Sequence, residues 1–465
     1  MARNVLPIEK HQEIILEING ITHSGEGVGR YEGLAVFVPG AVSGDTVRAR
    51  VTELKKSYAT SRLLEIISPS HARREPRCGL FSSCGGCRLQ HVDYQQQLSI
   101  KTGLVRDSLS RIAGLSSVNV RETLGMKDPW HYRNKVHLQV KESSAGIELG
   151  FYEEGSHILA PFGDGGSSVW GCLLVDRDLN HTASVIKNLL NGRGGRCDHR
   201  NKGGFFRHVV LRKGFSTGEI MAVIVTRDGQ WPGGEHFAKD LTASDPRVTS
   251  LIRNINEGPP GMLLGGQNRL LAGREYITDH LDYLTFVISP ASFYQVNPIQ
   301  TRLLYKKALE YSGLLDGEAN TVVDAYSGIG TVALFMAGHA RRVYALEIVR
   351  EAVEDARRNA QINDIYNIEF HAGEVEKKLL TLAAGGLRPD VVLLDPPRKG
   401  CRPEVLEAIS AMGVPRVVYI SCDPGTLSRD LGLLAAKGYL VEEVQPVDMF
   451  PWTHHVECVV LMSRV

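Results

Sequence analysis

The chain has 465 residues, 43% hydrophobic and 23% charged, with a formal net charge of +1. That length suggests two or three domains, and the composition is globular, which excludes fibrous and disordered classes. No run of 18 or more apolar residues occurs, which argues against a transmembrane helix, and MARNVLPIEKHQE lacks the apolar stretch of a signal peptide. A cytoplasmic protein that makes no membrane contact is expected. Eight cysteines in so long a chain do not form a disulfide scaffold and point to metal binding or catalysis in a reducing compartment.

Residues 11–67 read as short strands: EIILEI, LAVFVPG, DTVRARVTEL and SRLLEIISPS, with a glycine-rich turn at SGEGVGR. Close strands punctuated by Gly and Pro predict a small β-barrel. The G-E-G-V-G-R loop and the V-P-G-A-V-S-G-D-T-V stretch resemble a TRAM domain, an OB-like barrel found on RNA-modifying enzymes. Its expected extent is residues 1–70.

A central domain is expected over 71–280. Cys78, Cys84 and Cys87 fall within ten residues, and a polar helix is predicted over about 92–113, packing on the catalytic domain. Residues 125–280 alternate short strands with glycine-rich loops, as in a mixed α/β insertion; GDGGSS and NGRGGRCDHRNKGG read as its least ordered pieces. Residues 71–141 hold twelve Lys/Arg against five Asp/Glu, and 187–213 hold eight against one. Such excesses suit phosphate groups, although a solvated face would show the same pattern.

From about 285 the rhythm changes to alternating strand and helix, with strands at TVVDAY, RRVYALE, NIEFHA, DVVLLD, RVVYIS and GYLVEEVQPV and an edge strand at VECVVLM. Alternation of this kind implies a mostly parallel, doubly wound sheet. The last two strands leave no room for a crossover helix, so a hairpin at the sheet edge is expected. The third domain is placed at 281–465.

The first of these strands runs into Asp324-Ala325-Tyr326-Ser327-Gly328-Ile329-Gly330-Thr331. Glycines there let the backbone approach a ligand, but the fuller fingerprint for a pyrophosphate is absent. The second strand ends in Glu347, placed to accept both hydroxyls of a ribose. Its plainer reading is a helix-starting carboxylate. Glu374, after the third strand, is a weaker candidate for the adenine side. These features resemble the class I methyltransferase fold, which implies S-adenosylmethionine, a cofactor with ribose and no pyrophosphate. The fourth strand ends in Asp395-Pro396-Pro397-Arg398. Amino-methylating enzymes usually carry an aromatic where Arg398 stands, which disfavours a nitrogen target.

The fifth strand ends in Ser421-Cys422-Asp423-Pro424, with Pro424 suited to start the next helix. A cysteine is often a plain buried apolar residue. At a helix N-terminus its thiol pKa should fall, opposed in part by Asp423. A thiolate gives a methyltransferase what it needs for a pyrimidine: addition to carbon 6 makes carbon 5 nucleophilic. The carbon 5 proton must then be removed by a base, for which Glu457, opening the last strand, is the best candidate.

Together these motifs resemble the RNA uracil-5-methyltransferase family over residues 285–465. Phe293-Tyr294-Gln295-Val296-Asn297 resembles its cofactor segment and implies that Gln295 touches the methionine end. The resemblance further implies cofactor contacts by Tyr326, Glu347 and Asp395, with Cys422 as nucleophile and Glu457 as general base. Asp423 replaces the asparagine common there, and Trp452 stands where a polar residue is usual.

Cys78-x5-Cys84-Gly-Gly-Cys87 supplies three thiolates, and Cys172 is the nearest fourth. Four thiolates suit zinc or a [4Fe–4S] cluster. The C-x5-C-G-G-C-x-L-Q-H pattern is similar to the iron–sulfur branch of the same family, whose substrate is typically 23S ribosomal RNA; the cluster is implied by that resemblance more than by spacing. Cys197, Cys401 and Cys458 read as structural. A monomeric enzyme acting on an unpaired or flipped uridine is expected. Alternatives are a transfer RNA substrate, an RNA cytosine-5 methyltransferase, and a non-catalytic RNA-binding factor, the last disfavoured by the presence of both Cys422 and Glu457.

Overall fold

The computed structural model describes residues 6–143, 146–163, 171–192, 195, 204–259, 261–317 and 319–465. Most of GDGGSS and of NGRGGRCDHRNKGG, together with Cys197 and Trp170, lies outside the described residues.

Strands β1 (Glu13–Ile21), β2 (Gly27–Tyr31), β3 (Leu34–Val38), β4 (Thr46–Leu54) and β5 (Tyr58–Ser68) close into a barrel in the order β1-β2-β3-β5-β4. In β1 the buried residues Ile14, Leu16 and Ile18 alternate with exposed ones, the period-2 signature of a half-buried strand. The expected glycine-rich turn is only partly a turn, because its second half is β2. A Cβ on Gly29 would lie 2.3 Å from the Glu17 carbonyl oxygen, and one on Gly27 would lie 2.9 Å from Ala41. Here glycine marks close packing inside a strand rather than a bend.

Helix α1 (Tyr94–Ala113) and the short strand β6 (Asn119–Val120) follow the cysteine segment. Asp93 caps α1 by accepting from the Gln95 N–H. Next come β7 (Lys135–Ser143), β8 (Gly146–Tyr152), β9 (Leu159–Pro161), α2 (Arg177–Asn191), β10 (Phe206–Lys213), β11 (Ile220–Thr226), α3 (Gly234–Ser244), β12 (Val248–Ile255) and β13 (Gln267–Gly273). Their strands form one sheet, β13-β12-β11-β10-β7-β8-β9, antiparallel except for the β11–β12 pair. That pair is joined through α3, as parallel pairing requires.

After the hairpin β14 (Ile277–Leu281) and β15 (Leu284–Ile288) come α4 (Pro298–Ser312), β16 (Thr321–Ala325), α5 (Thr331–Ala337), β17 (Arg342–Glu347), α6 (Arg350–Ile362) and β18 (Ile368–Ala372). The chain then runs through α7 (Val375–Ala384), β19 (Val391–Leu394), α8 (Pro403–Ala411), β20 (Arg416–Ser421), α9 (Pro424–Ala435), β21 (Tyr439–Val447) and β22 (Glu457–Arg464). The sheet order is β18-β17-β16-β19-β20-β22-β21-β6. Strand residues alternate between its two faces. Val322 belongs to the apolar layer under α4 and α5, and Val323 to the layer under α8 and α9.

The terminal hairpin departs from expectation. β21 and β22 are antiparallel neighbours, but β22 inserts between β20 and β21 and is not an edge strand. The outer position goes to β21, which is itself covered in part by β6. Glu457 therefore opens an interior strand, and its side chain is buried rather than solvated.

Helix α1 packs along α9 through Val105 and Leu109. Its buried stripe also carries Gln97 and Lys101. Lys101 Nζ lies 2.5 Å from an Asp448 carboxylate oxygen, and both side chains are fully buried. The Tyr94 hydroxyl donates to the other carboxylate oxygen at 2.8 Å. Breaking a buried pair by removing one partner strands the other charge and costs about 3–5 kcal/mol. Lys101→Met is expected to lower the free energy of the first urea-unfolding transition by about that amount, read by tryptophan fluorescence; a change below about 1 kcal/mol would show the pair to be dispensable.

Candidate active site

Register carries the singled-out residues to the carboxyl edge of the sheet. Ala325 pairs with Leu346 on one side and Leu394 on the other, so Tyr326, Glu347 and Asp395 stand next in line. Ser421 pairs with Cys458, so the next step outward sets Cys422 opposite Glu457. The carboxyl ends of four strands and the start of β22 thus supply one row of functional groups, where ligands of doubly wound sheets bind.

Glu347 faces the glycine turn. One carboxylate oxygen accepts the Gly328 N–H at 2.9 Å and the other the Val349 N–H at 2.8 Å. Each oxygen keeps a further acceptor site, which suits a pair of ribose hydroxyls. Gly330 has φ +83°, and a Cβ there would press on Ala356 and Leu334 at 3.2 Å, so glycine allows α6 to approach. Tyr326 is also left-handed, at φ 73°, and its hydroxyl meets Cys401. Non-glycine residues held in that conformation cluster at functional sites. Gln295 is buried, and its carbonyl accepts from the Asn134 side chain at 3.0 Å. Glu374 pairs instead with Lys377 at 3.0 Å, toward solvent.

The electrostatics of the row are acidic. Burial raises the pKa of Asp395 to about 7. Burial and the Asp395 charge raise Glu457 to about 8, while Arg398 pulls it down. Asp324, at the end of β16, is fully buried with one carboxylate oxygen unpartnered, and burial with Asp395 holds its pKa well above the usual range. Its sequence signal is an acid closing an apolar strand, TVVDA, beside the glycine turn. This lining suits a cationic sulfonium and ammonium, whose charge would favour the carboxylate forms. The donor set therefore fits S-adenosylmethionine.

The expectation that the Cys422 thiol pKa is lowered does not hold in this structure. Burial and the Glu457 charge raise it to about 11, with Arg398 opposing. Desolvation outweighs the helix terminus here, partly because Asp423 occupies that terminus: its carboxylate caps α9 by accepting the Thr426 N–H at 2.8 Å. Arg398 was noted in the sequence only as a missing aromatic. Its charge bears on both Cys422 and Glu457. Cys401 and Cys458 are buried.

Cys78, Cys84, Cys87 and Cys172 are free thiols lining one cavity of about 230 Å³. Burial raises the pKa of Cys84, Cys87 and Cys172, and neighbouring thiols push the same way. Arg133 shares the cavity wall, and its charge bears on Cys87 and Cys172. Among the described residues, no three His, Cys, Asp or Glu side chains close on one metal-ion position.

A doubly wound sheet with a glycine turn after its first strand and a row of carboxylates along its carboxyl edge defines a class I S-adenosylmethionine-dependent methyltransferase. A family profile described as tRNA (Uracil-5-)-methyltransferase matches residues 266–465, and a TRAM domain profile matches 9–64. The chain is 42% identical over 464 residues to an "Uncharacterized RNA methyltransferase" of Halalkalibacterium halodurans, covering 100% of this chain and 99% of the relative. It is 44% identical over 455 residues to another so named in Caldanaerobacter subterraneus subsp. tengcongensis, covering 97% and 98%. It also resembles the crystal structure of Pyrococcus abyssi tRNA (uracil-54, C5)-methyltransferase in complex with S-adenosyl-L-homocysteine, with TM-score 0.73 and 26% identity over 96% of this chain and 99% of that one. The chain belongs to the RNA uracil-5-methyltransferase family, and carries an N-terminal TRAM barrel. No helix among the described residues is long and apolar enough to cross a membrane.

The raised Glu457 pKa has a stability consequence. Between the ordinary value of 4.5 and about 8, the unfolded chain releases a proton that the folded chain keeps, so stability falls as pH rises through that window. Glu457→Gln removes this dependence. The thermal midpoint of the variant, relative to wild type, should be unchanged at low pH and climb steadily up to pH 8; a flat difference would contradict the burial argument.

Proposed function

We propose that this protein methylates carbon 5 of a specific uridine in 23S ribosomal RNA, with Cys422 as nucleophile and Glu457 as general base. The observation that carries the reading is the pairing of β20 with β22, which sets the Cys422 thiol opposite the buried Glu457 carboxyl at the carboxyl edge of the sheet. S-adenosylmethionine, when bound, supplies the methyl sulfonium, and Gln295, Tyr326, Glu347 and Asp395 are the residues proposed to hold it. The Cys422 thiolate adds to carbon 6 of the uracil, and the resulting enolate takes the methyl group at carbon 5. Glu457 then removes the carbon 5 proton, the carbon 5–carbon 6 double bond re-forms, and the thiolate leaves. Arg398 favours the ionised form of both groups. The uridine must be unpaired or flipped out for both ring faces to be reached.

We further propose that Cys78, Cys84, Cys87 and Cys172 hold a [4Fe–4S] cluster. Four free thiols around one cavity of about 230 Å³ support this, and four thiolates are the usual ligand set of such a cluster. The ribosomal substrate rests on the cysteine pattern. Transfer RNA is the second reading, favoured by the Pyrococcus abyssi neighbour. Cytoplasmic location and a monomeric state belong to the same proposal.

RNA tritiated at uridine carbon 5 tests the chemistry. Wild type should release tritium with cofactor, Cys422→Ala should release none, and Glu457→Gln should stall as a covalent protein–RNA adduct; release by Cys422→Ala overturns the mechanism. Parallel reactions on 23S and transfer RNA transcripts decide the substrate. Tritium release from the preformed Cys422–RNA adduct should speed up with pH through about 8 as Glu457 ionises, and Arg398→Ala should move that limb to higher pH. Anaerobically purified protein should be brown with about four irons per chain; one zinc instead would refute the cluster.

A further inference from the structure

The segment between β21 and β22 is suspended by its own carbonyls. That of Asp448 accepts from the Gln300 side chain at 3.0 Å, Met449 from Asn297 at 3.0 Å, and Phe450 from Lys101 at 3.1 Å. Pro451 accepts from the Tyr132 hydroxyl at 3.1 Å. The Trp452 carbonyl takes two backbone donors, the Arg88 and Leu89 N–H groups, each at 3.0 Å. Those two residues directly follow Cys87.

Trp452 is fixed on every other side as well. Its N–H donates to Gln97 at 3.2 Å and its indole N–H to the Pro129 carbonyl at 2.9 Å. Its ring stacks on Trp130 with centroids 4.2 Å apart. It shares an apolar cluster with Tyr132 and Leu174, against which Cys87 and Cys172 pack. Its φ is 68°, a conformation a bulky residue keeps only when its surroundings impose it. Five residues later the chain reaches Glu457.

We propose that Trp452 is a positioning residue that couples the cysteine site to Glu457. Ligation of Cys87 fixes the Arg88 and Leu89 N–H groups; these hold Trp452 in its left-handed conformation, and that conformation aims the following residues so that Glu457 meets carbon 5. The cysteine site thereby governs the proton-removal half of the reaction without touching RNA or cofactor. This rests on the roles proposed above for Glu457 and for the cluster.

The device has a signature that a merely structural role lacks: thiolate addition proceeds while elimination stalls. Full-length Trp452→Phe keeps a ring but loses the indole donor, and Trp130→Leu removes the stacking partner without altering the catalytic segment. With wild-type iron content, both are expected to form the Cys422–RNA adduct at near wild-type rate yet release tritium slower by about tenfold or more, because small misplacements of a reacting group carry penalties of that size. Wild-type protein stripped of iron should show the same split. Equal loss of adduct formation and tritium release, or unchanged release in both variants, overturns the proposal. Wild type that never contains iron removes only the cluster arm, and the two variants still test Trp452. Tritium release by Glu457→Gln at wild-type rate would instead remove the base assignment itself.

Discussion

The buried contact of Lys101 with Asp448 is the constraint on which the rest of the architecture turns. It joins the helix after the cysteine segment to the start of the segment leading to Glu457, and both side chains are wholly out of water. Two charges removed from solvent are tolerable only when paired and further hydrogen-bonded, which Tyr94 and the Phe450 carbonyl provide. Because both partners must be present and aligned, α1 cannot slide on the catalytic sheet. The barrel is tied to the same junction: at Gly25, an added Cβ would meet Arg88 at 3.2 Å and His454 at 3.3 Å. Barrel, cysteine segment and catalytic segment therefore converge within one residue's width.

At the catalytic edge the organising physics is desolvation. Three carboxyl groups, Asp324, Asp395 and Glu457, are gathered where water is scarce, and each holds its proton more tightly than it would in solvent. For a proposed base this is useful, since proton transfer is most effective when the pKa lies near the working pH. For stability it is a cost. A raised Cys422 pKa belongs to the same balance: burial and the Glu457 charge push the thiol up, and the resident Arg398 charge offsets them only in part.

The cysteine site shows the same logic with the sign reversed. Arg133 lines the same cavity with its Nε unpartnered, beside thiols that are themselves short of solvation. A thiolate-ligated centre would give both a counter-charge. The thiols come from two distant stretches, one in the segment before α1 and one before α2, so only the tertiary fold brings the fourth donor to the cavity.

The order and type of the catalytic strands, the barrel and the helix beginning near residue 94 were legible from local pattern, because period-2 burial, glycine punctuation and helix capping are properties of neighbours in sequence. So were the strand ends carrying Tyr326, Glu347, Asp395 and Cys422, since a doubly wound sheet always presents its carboxyl edge. Spatial order among non-neighbours was not. The insertion of β22 between β20 and β21, the strand character of Gly27–Tyr31, the upward shift of the Cys422 thiol and the suspension of residues 448–452 all depend on groups that are not neighbours in sequence, more than a hundred residues away in the last case. Local propensity encodes what a segment becomes; desolvation and long-range hydrogen bonding, which exist only once the chain has closed on itself, decide what it faces.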